Sequence, residues 1–323
     1  MTRPDFVEKQ VLLIESNKEH KIKFKNSNLV VIDENNKTLL QHSLHKIFVV
    51  FIIGESSITS VLIKNAKKHD INISFLNYNL KPYFTIGLDN KGNFLLRKKQ
   101  YTYQNNFSIA KHLVQNKINN QIYLMESLRY KTKEEKDSIT LIKKQLESIP
   151  NTNNLNELLG VEGTASKEFF KTYFKNINFN GRRPHCKDDI FNLLLDIGYY
   201  YLFNFIEANL ELYGFDTYCG VYHTFFFQRK SLVCDLIEPF RCIIDRKLKK
   251  AYKLKQINET DFYCKNNQFF IKQEFNKNYS KLFLEEILEN KEVIFLYIQK
   301  YYRSFMKEKN PNEYPEFLLS DKK

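Results

Sequence analysis

Short runs of branched aliphatic residues, separated by clusters of Asn, Asp, Lys and Gly, fill roughly the first 90 residues. Val11-Leu12-Leu13-Ile14, Leu29-Val30-Val31-Ile32, Ile47 through Ile53 and Ile71 through Leu76 are each too short for a helix and rich in strand-favouring side chains. Ile58 to Lys68, between the last two, reads as one short helix. After about Arg97 the period changes. From Phe107 to Leu128 apolar residues fall at helical spacing (Ile109, Leu113, Ile118, Ile122, Met125), and 133–148 is a charged amphipathic helix. Asp188 to Leu212 is apolar nearly all round, as expected of a central buried helix. Residues 228–250 and 280–308 also read as helical, and the tail from Asn310 reads as loose. The fold class expected is α+β: a β-rich N-terminal domain over 1–92, a linker over 93–100, a larger all-α domain over 101–309 and a free tail over 310–323.

The chain length of 323 residues exceeds the size at which one core usually splits, in keeping with two domains, and 43% hydrophobic residues suffice for both cores. The formal charge is +13, a sign that favours polyanionic partners such as nucleic acid or an anionic surface. The abundance of Lys, Asn, Ile, Phe and Tyr, typical of AT-rich coding, leaves part of that charge open to a purely compositional origin. Five cysteines without CxxC spacing speak against a disulfide framework or a zinc site. The N-terminus lacks a signal-like apolar stretch, and no apolar run reaches the roughly 18 residues of a membrane span. The expectation is a soluble, cytoplasmic protein with no membrane partner.

Two stretches concentrate chemistry. In the first, Asn154 followed by Glu157 resembles a helix cap. A helix starting there puts Leu155, Leu158, Leu159, Glu162, Ala165 and Phe169 on one stripe. A carboxylate in such a face is costly unless a cation sits beside it. The alternative is a helix break at Gly160–Gly163 that leaves Glu162 solvated. In the second stretch, Asp235 and Glu238 share a helix face, although Pro239 must distort that helix. An ordinary solvated polar face is the alternative there. His223 lies in the apolar surroundings of Gly220-Val221-Tyr222 and is either a core residue or a ligand through a neutral ring nitrogen. Carboxylates with one imidazole form a divalent-metal ligand set suited to Mg²⁺ or Mn²⁺. In a polycation, that set suggests phosphodiester chemistry.

At these residues the sequence resembles the CRISPR-associated spacer-acquisition integrases, the Cas-one family. The match includes GVEGTASKEFF, Arg182-Arg183-Pro184 with Asp188 and Asn192, Gly214-Phe215-Asp216, Gly220-Val221-Tyr222-His223, and SLVCDLIEPFR. Lys117-Ile118-Asn119-Asn120-Gln121 is similar to the family's Lys-Ile-x-Asn-Gln helix, and the similarity runs over roughly 10–310. One departure is Gln228 before Arg229, where a Gly-Arg pair is common.

The resemblance implies a β-rich N-terminal dimerisation domain, an α-helical catalytic domain and a homodimer. It also implies assembly with the small Cas-two partner and insertion of short double-stranded DNA fragments at the leader–repeat junction of a CRISPR array. Carried over by motif, Glu162, His223 and Glu238 are metal ligands and catalytic residues, with Asp235 a nearby catalytic acid. Glu238 stands where many members have Asp. Arg182, Arg183, Arg229 and Arg241 become phosphate contacts, because guanidinium forks onto phosphate oxygens. Arg241 could instead orient Glu238, three residues away. Two other readings stay open: a stand-alone metal-dependent nuclease or transposase-like integrase, and a basic DNA-binding scaffold whose acids are solvated.

Overall fold

In the computed structural model the described residues are 1–17, 19–88, 92–104, 106–175, 177, 179, 181–223 and 226–320. The N-terminal part contains α1 (Arg3–Val7), β1 (Gln10–Ser16), β2 (Lys21–Lys25), β3 (Asn28–Ile32), β4 (Thr38–Ser43), β5 (Ile47–Gly54), β6 (Ser57–Ile58), α2 (Ser60–Lys68), β7 (Asn72–Leu76) and β8 (Pro82–Ile86). The strands form two four-stranded sheets, ordered β1-β5-β7-β8 and β4-β3-β2-β6. In the first, β1, β5 and β7 run parallel and β8 closes one edge antiparallel. The continuous apolar runs mark β1, β3, β5 and β7. The periodicity did not expose β2 (KIKFK), β4 (TLLQHS) or β8, whose solvent-facing positions dilute the apolar signal.

β5 ties the two halves of the molecule together. A strand covered on both faces reads as an unbroken apolar run, and every residue of Ile47–Gly54 is buried. Val50 and Ile52 join a core with Leu62 of α2 and with Ile22 and Val31 of the second sheet. Val49, Phe51 and Ile53 belong to the core that continues into the helical half. There Phe51 meets Tyr201 edge to face at 4.7 Å, and Phe6 stacks on Phe295 at 4.2 Å.

The helical half holds α3 (Phe94–Thr102), α4 (Asn106–Glu126), α5 (Lys133–Ser148), α6 (Leu155–Tyr173), α7 (Ile190–Tyr213), α8 (Ser231–Ile237), α9 (Arg241–Lys253), β9 (Phe262–Lys265), β10 (Gln268–Ile271), α10 (Asn276–Glu289) and α11 (Lys291–Met306). The α+β class holds, with a helical C-terminal part that also carries the small antiparallel hairpin β9–β10. α7 is the buried axis anticipated from its all-round apolarity, and it ends at Gly214 in the left-handed conformation with φ 84°.

Two boundaries differ from the expectation. Residues 93–100, expected as a linker, lie in α3 and the Asn93 cap before it: the Asn93 side chain accepts from Leu96 N–H, and Leu96 is fully buried. Gln100 clamps the loop after α7, donating to the Asp216 carbonyl (3.0 Å) and accepting from Asp216 N–H (2.9 Å). The tail is not loose as far as Ser320. Tyr314, Phe317 and Leu319 are buried. The side chains of Asn116 and Asn120 on α4 bond the Phe317 and Leu319 backbone at 2.7–2.9 Å. Buried asparagines need partners, and an extended strap of backbone supplies them. Residues 321–323 lie outside the described residues. Among the described residues no helix is long and apolar enough to cross a membrane.

Candidate metal centre and basic cleft

α6 is capped as its sequence suggests: Asn154 Oδ1 accepts from Glu157 N–H at 3.0 Å, and Asn153 N–H donates to Glu157 Oε2 at 2.7 Å. The helix then runs unbroken through both glycines to Tyr173, so the helix-break alternative does not hold. Leu159 is 40% exposed, which shifts the apolar stripe toward Leu158, Ala165 and Phe169 and leaves Glu162 at its margin. Glu162 Oε1 accepts from Ser166 Oγ at 2.7 Å and from Lys117 Nζ.

Pro239 shapes the second element. It cannot donate to the Asp235 carbonyl, so α8 closes at Ile237, with Glu238 N–H bonding that carbonyl instead. Glu238–Phe240 forms a single 3₁₀ turn before α9. The break turns Glu238 and Asp235 to different tasks. Glu238 Oε1 accepts from Arg241 Nε at 2.9 Å, and Oε2 lies 2.6 Å from Lys117 Nζ. Asp235 is fully buried and forms the floor of the 220–223 turn. Its Oδ2 accepts from Val221 N–H (2.6 Å) and Tyr222 N–H (3.0 Å), while Oδ1 accepts from His223 N–H (2.8 Å) and lies 2.7 Å from His223 Nδ1. Gly220 is required by this close approach, since a Cβ there would sit 2.7 Å from Asp235 Oδ2. Asp235 therefore positions His223 and does not stand free as the catalytic acid expected. With Nδ1 engaged by a carboxylate, the imidazole is oriented and Nε2 is left for another partner.

Glu162 and Glu238 thus meet at one atom, Lys117 Nζ, with His223 close enough to act electrostatically on Glu238. Burial opposes the charge on Glu238, but Arg241, then Lys117 and His223, outweigh it and bring its carboxyl down to about 2. Burial likewise works against the Lys117 ammonium, and Glu162 and Glu238 more than offset it, so its affinity for the proton rises. Glu238 Oε2 has only the Lys117 ammonium as a partner, and the buried Tyr222 hydroxyl beside the cluster has no hydrogen-bond partner. Among the described residues no three carboxylate, imidazole or thiol groups are already gathered tightly enough to hold a metal ion. The acids stand around an ammonium instead. They are buried or partly buried, which sets aside the solvated-acid alternatives.

The cluster opens into a cleft of about 1220 Å³ lined by seven Lys/Arg side chains and three carboxylates. Arg182, Arg183, Arg229 and Arg241 all line it, but each is differently committed. Arg182 pairs with Asp196 at 2.5 Å and Asn192 at 3.0 Å. Arg183 pairs with Asp188 at 2.5 Å and is half-exposed. Arg241 takes the orienting role toward Glu238 and lies 4.5 Å from the centre of the Tyr199 ring. Arg229 is exposed. Gln228 before it has φ 59°, the left-handed region that glycine favours, which accounts for the Gly-Arg pair expected at this point. Lys117 and Ser166 were not singled out from the sequence as site residues. The available signal for Lys117 was the Lys117-Ile118-Asn119-Asn120-Gln121 motif, on a helix that buries the polar side chains His112, Asn116, Asn120 and Gln121.

A family model described as CRISPR associated protein Cas1 matches residues 13–285. The chain is 28% identical over 275 residues to a CRISPR-associated endonuclease Cas1 of Thermodesulfovibrio yellowstonii, spanning 81% of this chain and 86% of that one. It is 28% identical over 289 residues to its namesake in Archaeoglobus fulgidus (81% and 83%). Its fold is similar to that of a Cas1 protein from Thermotoga maritima, with a TM-score of 0.78 at 18% identity over 97% of this chain and all of that one. A casposase bound to its integration product has a TM-score of 0.77 at 20% identity, over 95% and 94% of the two chains. A chain of a Cas6-RT-Cas1–Cas2 complex has a TM-score of 0.83 at 19% identity, with 97% of this chain spanning 36% of that longer one.

Proposed function

Because the chain belongs to the CRISPR-associated Cas1 family, we propose that it is a DNA integrase and endonuclease of CRISPR adaptation. It joins the 3′-OH ends of short DNA fragments to the leader–repeat junction of a CRISPR array by transesterification. The observation that carries this reading is the convergence of Glu162 and Glu238 on one cationic atom, in a cleft whose charged lining residues are mostly basic.

The site fits a divalent ion. The carboxylates of Glu162 and Glu238 already enclose one cation, the Lys117 ammonium, and His223 has its Nδ1 taken by Asp235. Two carboxylates and an imidazole suit Mg²⁺ or Mn²⁺. Glu162, His223 and Glu238 are the residues that would hold it. Such an ion supplies Lewis-acid polarisation of a phosphoryl oxygen and orientation of the attacking hydroxyl. The chain's own contribution is alignment and charge. Arg241 keeps Glu238 ionised and fixed, and Asp235 holds His223 against rotation. Arg183 and Arg229 are accessible enough to carry phosphates of the DNA along the cleft. Exchange of one phosphodiester for another needs no nucleotide cofactor.

The protein acts as a homodimer, assembled with a Cas2-type partner. The β8 edge strand, where Tyr83 and Phe84 are more than half exposed, supports a pairing surface on the N-terminal sheet. The test is strand transfer of a 3′-OH duplex into a leader–repeat target, with and without the partner and with the metal varied. Glu162→Ala, His223→Ala and Glu238→Ala should each abolish joining while DNA binding persists, and EDTA should stop the reaction. Normal joining by all three variants would overturn the assignment.

A further inference from the structure

Lys117 touches both acids of the cluster. Its ammonium contacts Glu162 Oε1 and lies 2.6 Å from Glu238 Oε2, and its side chain is only 11% exposed. Its place is enforced from behind. Asn120, one turn further along α4, donates to the Pro239 carbonyl at 3.2 Å and to the Phe317 carbonyl at 2.8 Å, so the helix bearing Lys117 and the turn bearing Glu238 are held in register. The side chain borders the open cleft, so the ammonium can leave the carboxylates without the helix moving.

Within their direct ion pairs, the charges of Glu162 and Glu238 are balanced. Two carboxylates face the Lys117 ammonium and the Arg241 guanidinium. Adding a divalent cation beside both would leave excess positive charge in a poorly solvated place, where like charges repel strongly. The two positive groups are not equally removable. Arg241 is fixed by Glu238 and by the Tyr199 ring, whereas lysine carries a compact charge on a flexible stem.

We propose that Lys117 is a built-in counter-ion of the metal site: it neutralises Glu162 and Glu238 before loading, and the divalent ion must displace it to bind. Metal uptake is then an exchange of cations, with an affinity set below what the two carboxylates alone would give. The inference rests on the functional reading above and adds a residue that opposes the metal.

The test is Mn²⁺ binding by the full chain, measured by calorimetry and by the loss of free-ion EPR signal, with no DNA present. Lys117→Gln removes the competitor and should tighten Mn²⁺ binding by about tenfold or more, the affinity change equivalent to about 1.4 kcal/mol. It should also melt lower than wild type in EDTA and gain more from Mn²⁺. Lys117→Arg keeps the charge and adds a forked grip on the carboxylates, so it should bind Mn²⁺ more weakly than wild type. This variant decides the matter even where Lys117→Gln folds poorly. Equal or weaker binding by Lys117→Gln, or unchanged or tighter binding by Lys117→Arg, overturns the proposal. Glu162→Gln separates the two levels. If wild type binds Mn²⁺ through Glu162 but the Lys117 variants do not differ from it, only the counter-ion inference fails. If neither wild type nor Lys117→Gln binds Mn²⁺ at all, the metal reading itself fails and takes the inference with it.

Discussion

Asp235→Asn isolates the residue that builds the imidazole's support without touching the surface of the cleft. The carboxylate is fully buried and engages four groups: the N–H of Val221, Tyr222 and His223, and the His223 ring at Nδ1. Each oxygen serves two of them. An amide has only one acceptor oxygen, so its NH₂ must face either the Val221 and Tyr222 N–H groups or the His223 N–H and ring. In either orientation at least one buried backbone N–H loses its acceptor. With each unsatisfied donor costing about 1–3 kcal/mol, and loss of charge assistance on the remaining bonds, a penalty of about 3 kcal/mol is expected. For a helical domain of this size that corresponds to a fall in Tm of about 6–12 °C. The second consequence is chemical. An NH₂ presented to Nδ1 favours the tautomer with its proton on Nε2, which removes the lone pair a ligand needs. Loss of such a support lowers metal affinity or activity by about 10–100-fold. Differential scanning fluorimetry and a labelled strand-transfer assay test both effects on one protein. A variant melting within 2 °C of wild type (about 0.5–1 kcal/mol) and joining DNA at an unchanged rate would refute the claim that Asp235 organises the His223 turn.

Phe317→Ala should destabilise the protein by about 3–5 kcal/mol, a cavity-scale loss, because this ring packs 4.7 Å from Phe240 just behind the Glu238 turn; chemical denaturation checks it. Burial, and then the neighbouring Glu207, push the Glu211 carboxyl up to about 7. The folded chain therefore holds a proton that the unfolded chain has released, so this group favours folding below the ordinary carboxylate range and loses that contribution as pH rises through 7. Glu211→Gln should flatten the decline of Tm between about pH 5 and pH 8, and an unchanged slope would argue against it. DNA affinity should fall steeply with salt as phosphate contacts release counterions, and Arg229→Ala should reduce the slope of log K against log salt by about 1. A flat salt response would remove the electrostatic basis for DNA binding.

Much of the site was legible before the fold was known. The Asn154 cap placed Glu162 on a helix, and Pro239 announced the break that separates Glu238 from Asp235. The resemblance to the integrases named Glu162 and Glu238, which the structure brings to one lysine, and His223, which it seats on Asp235. The role of Asp235 was not legible, because three residues' separation on a helix says that two side chains share a face, while their partners come from elsewhere. A single turn ending in proline was enough to send one acid inward to the 220–223 backbone and the other toward α4. The Lys117-Ile118-Asn119-Asn120-Gln121 motif marks Lys117 but gives it no role, since that role lies in contacts 45 and 121 positions away in sequence.

Local chemistry by itself placed β1, β3, β5, β7 and the long helices α4 to α7, because periodicity, caps and proline act over a few residues. It also determined the kinds of ligand available. Only the tertiary structure decided that β5 welds the two halves into one core and that residues 314–319 are a strap rather than a free end. It also decided that two distant glutamates share a lysine. Those outcomes depend on which faces meet across the molecule: burial forces each polar group to find a partner there, wherever in the chain that partner lies.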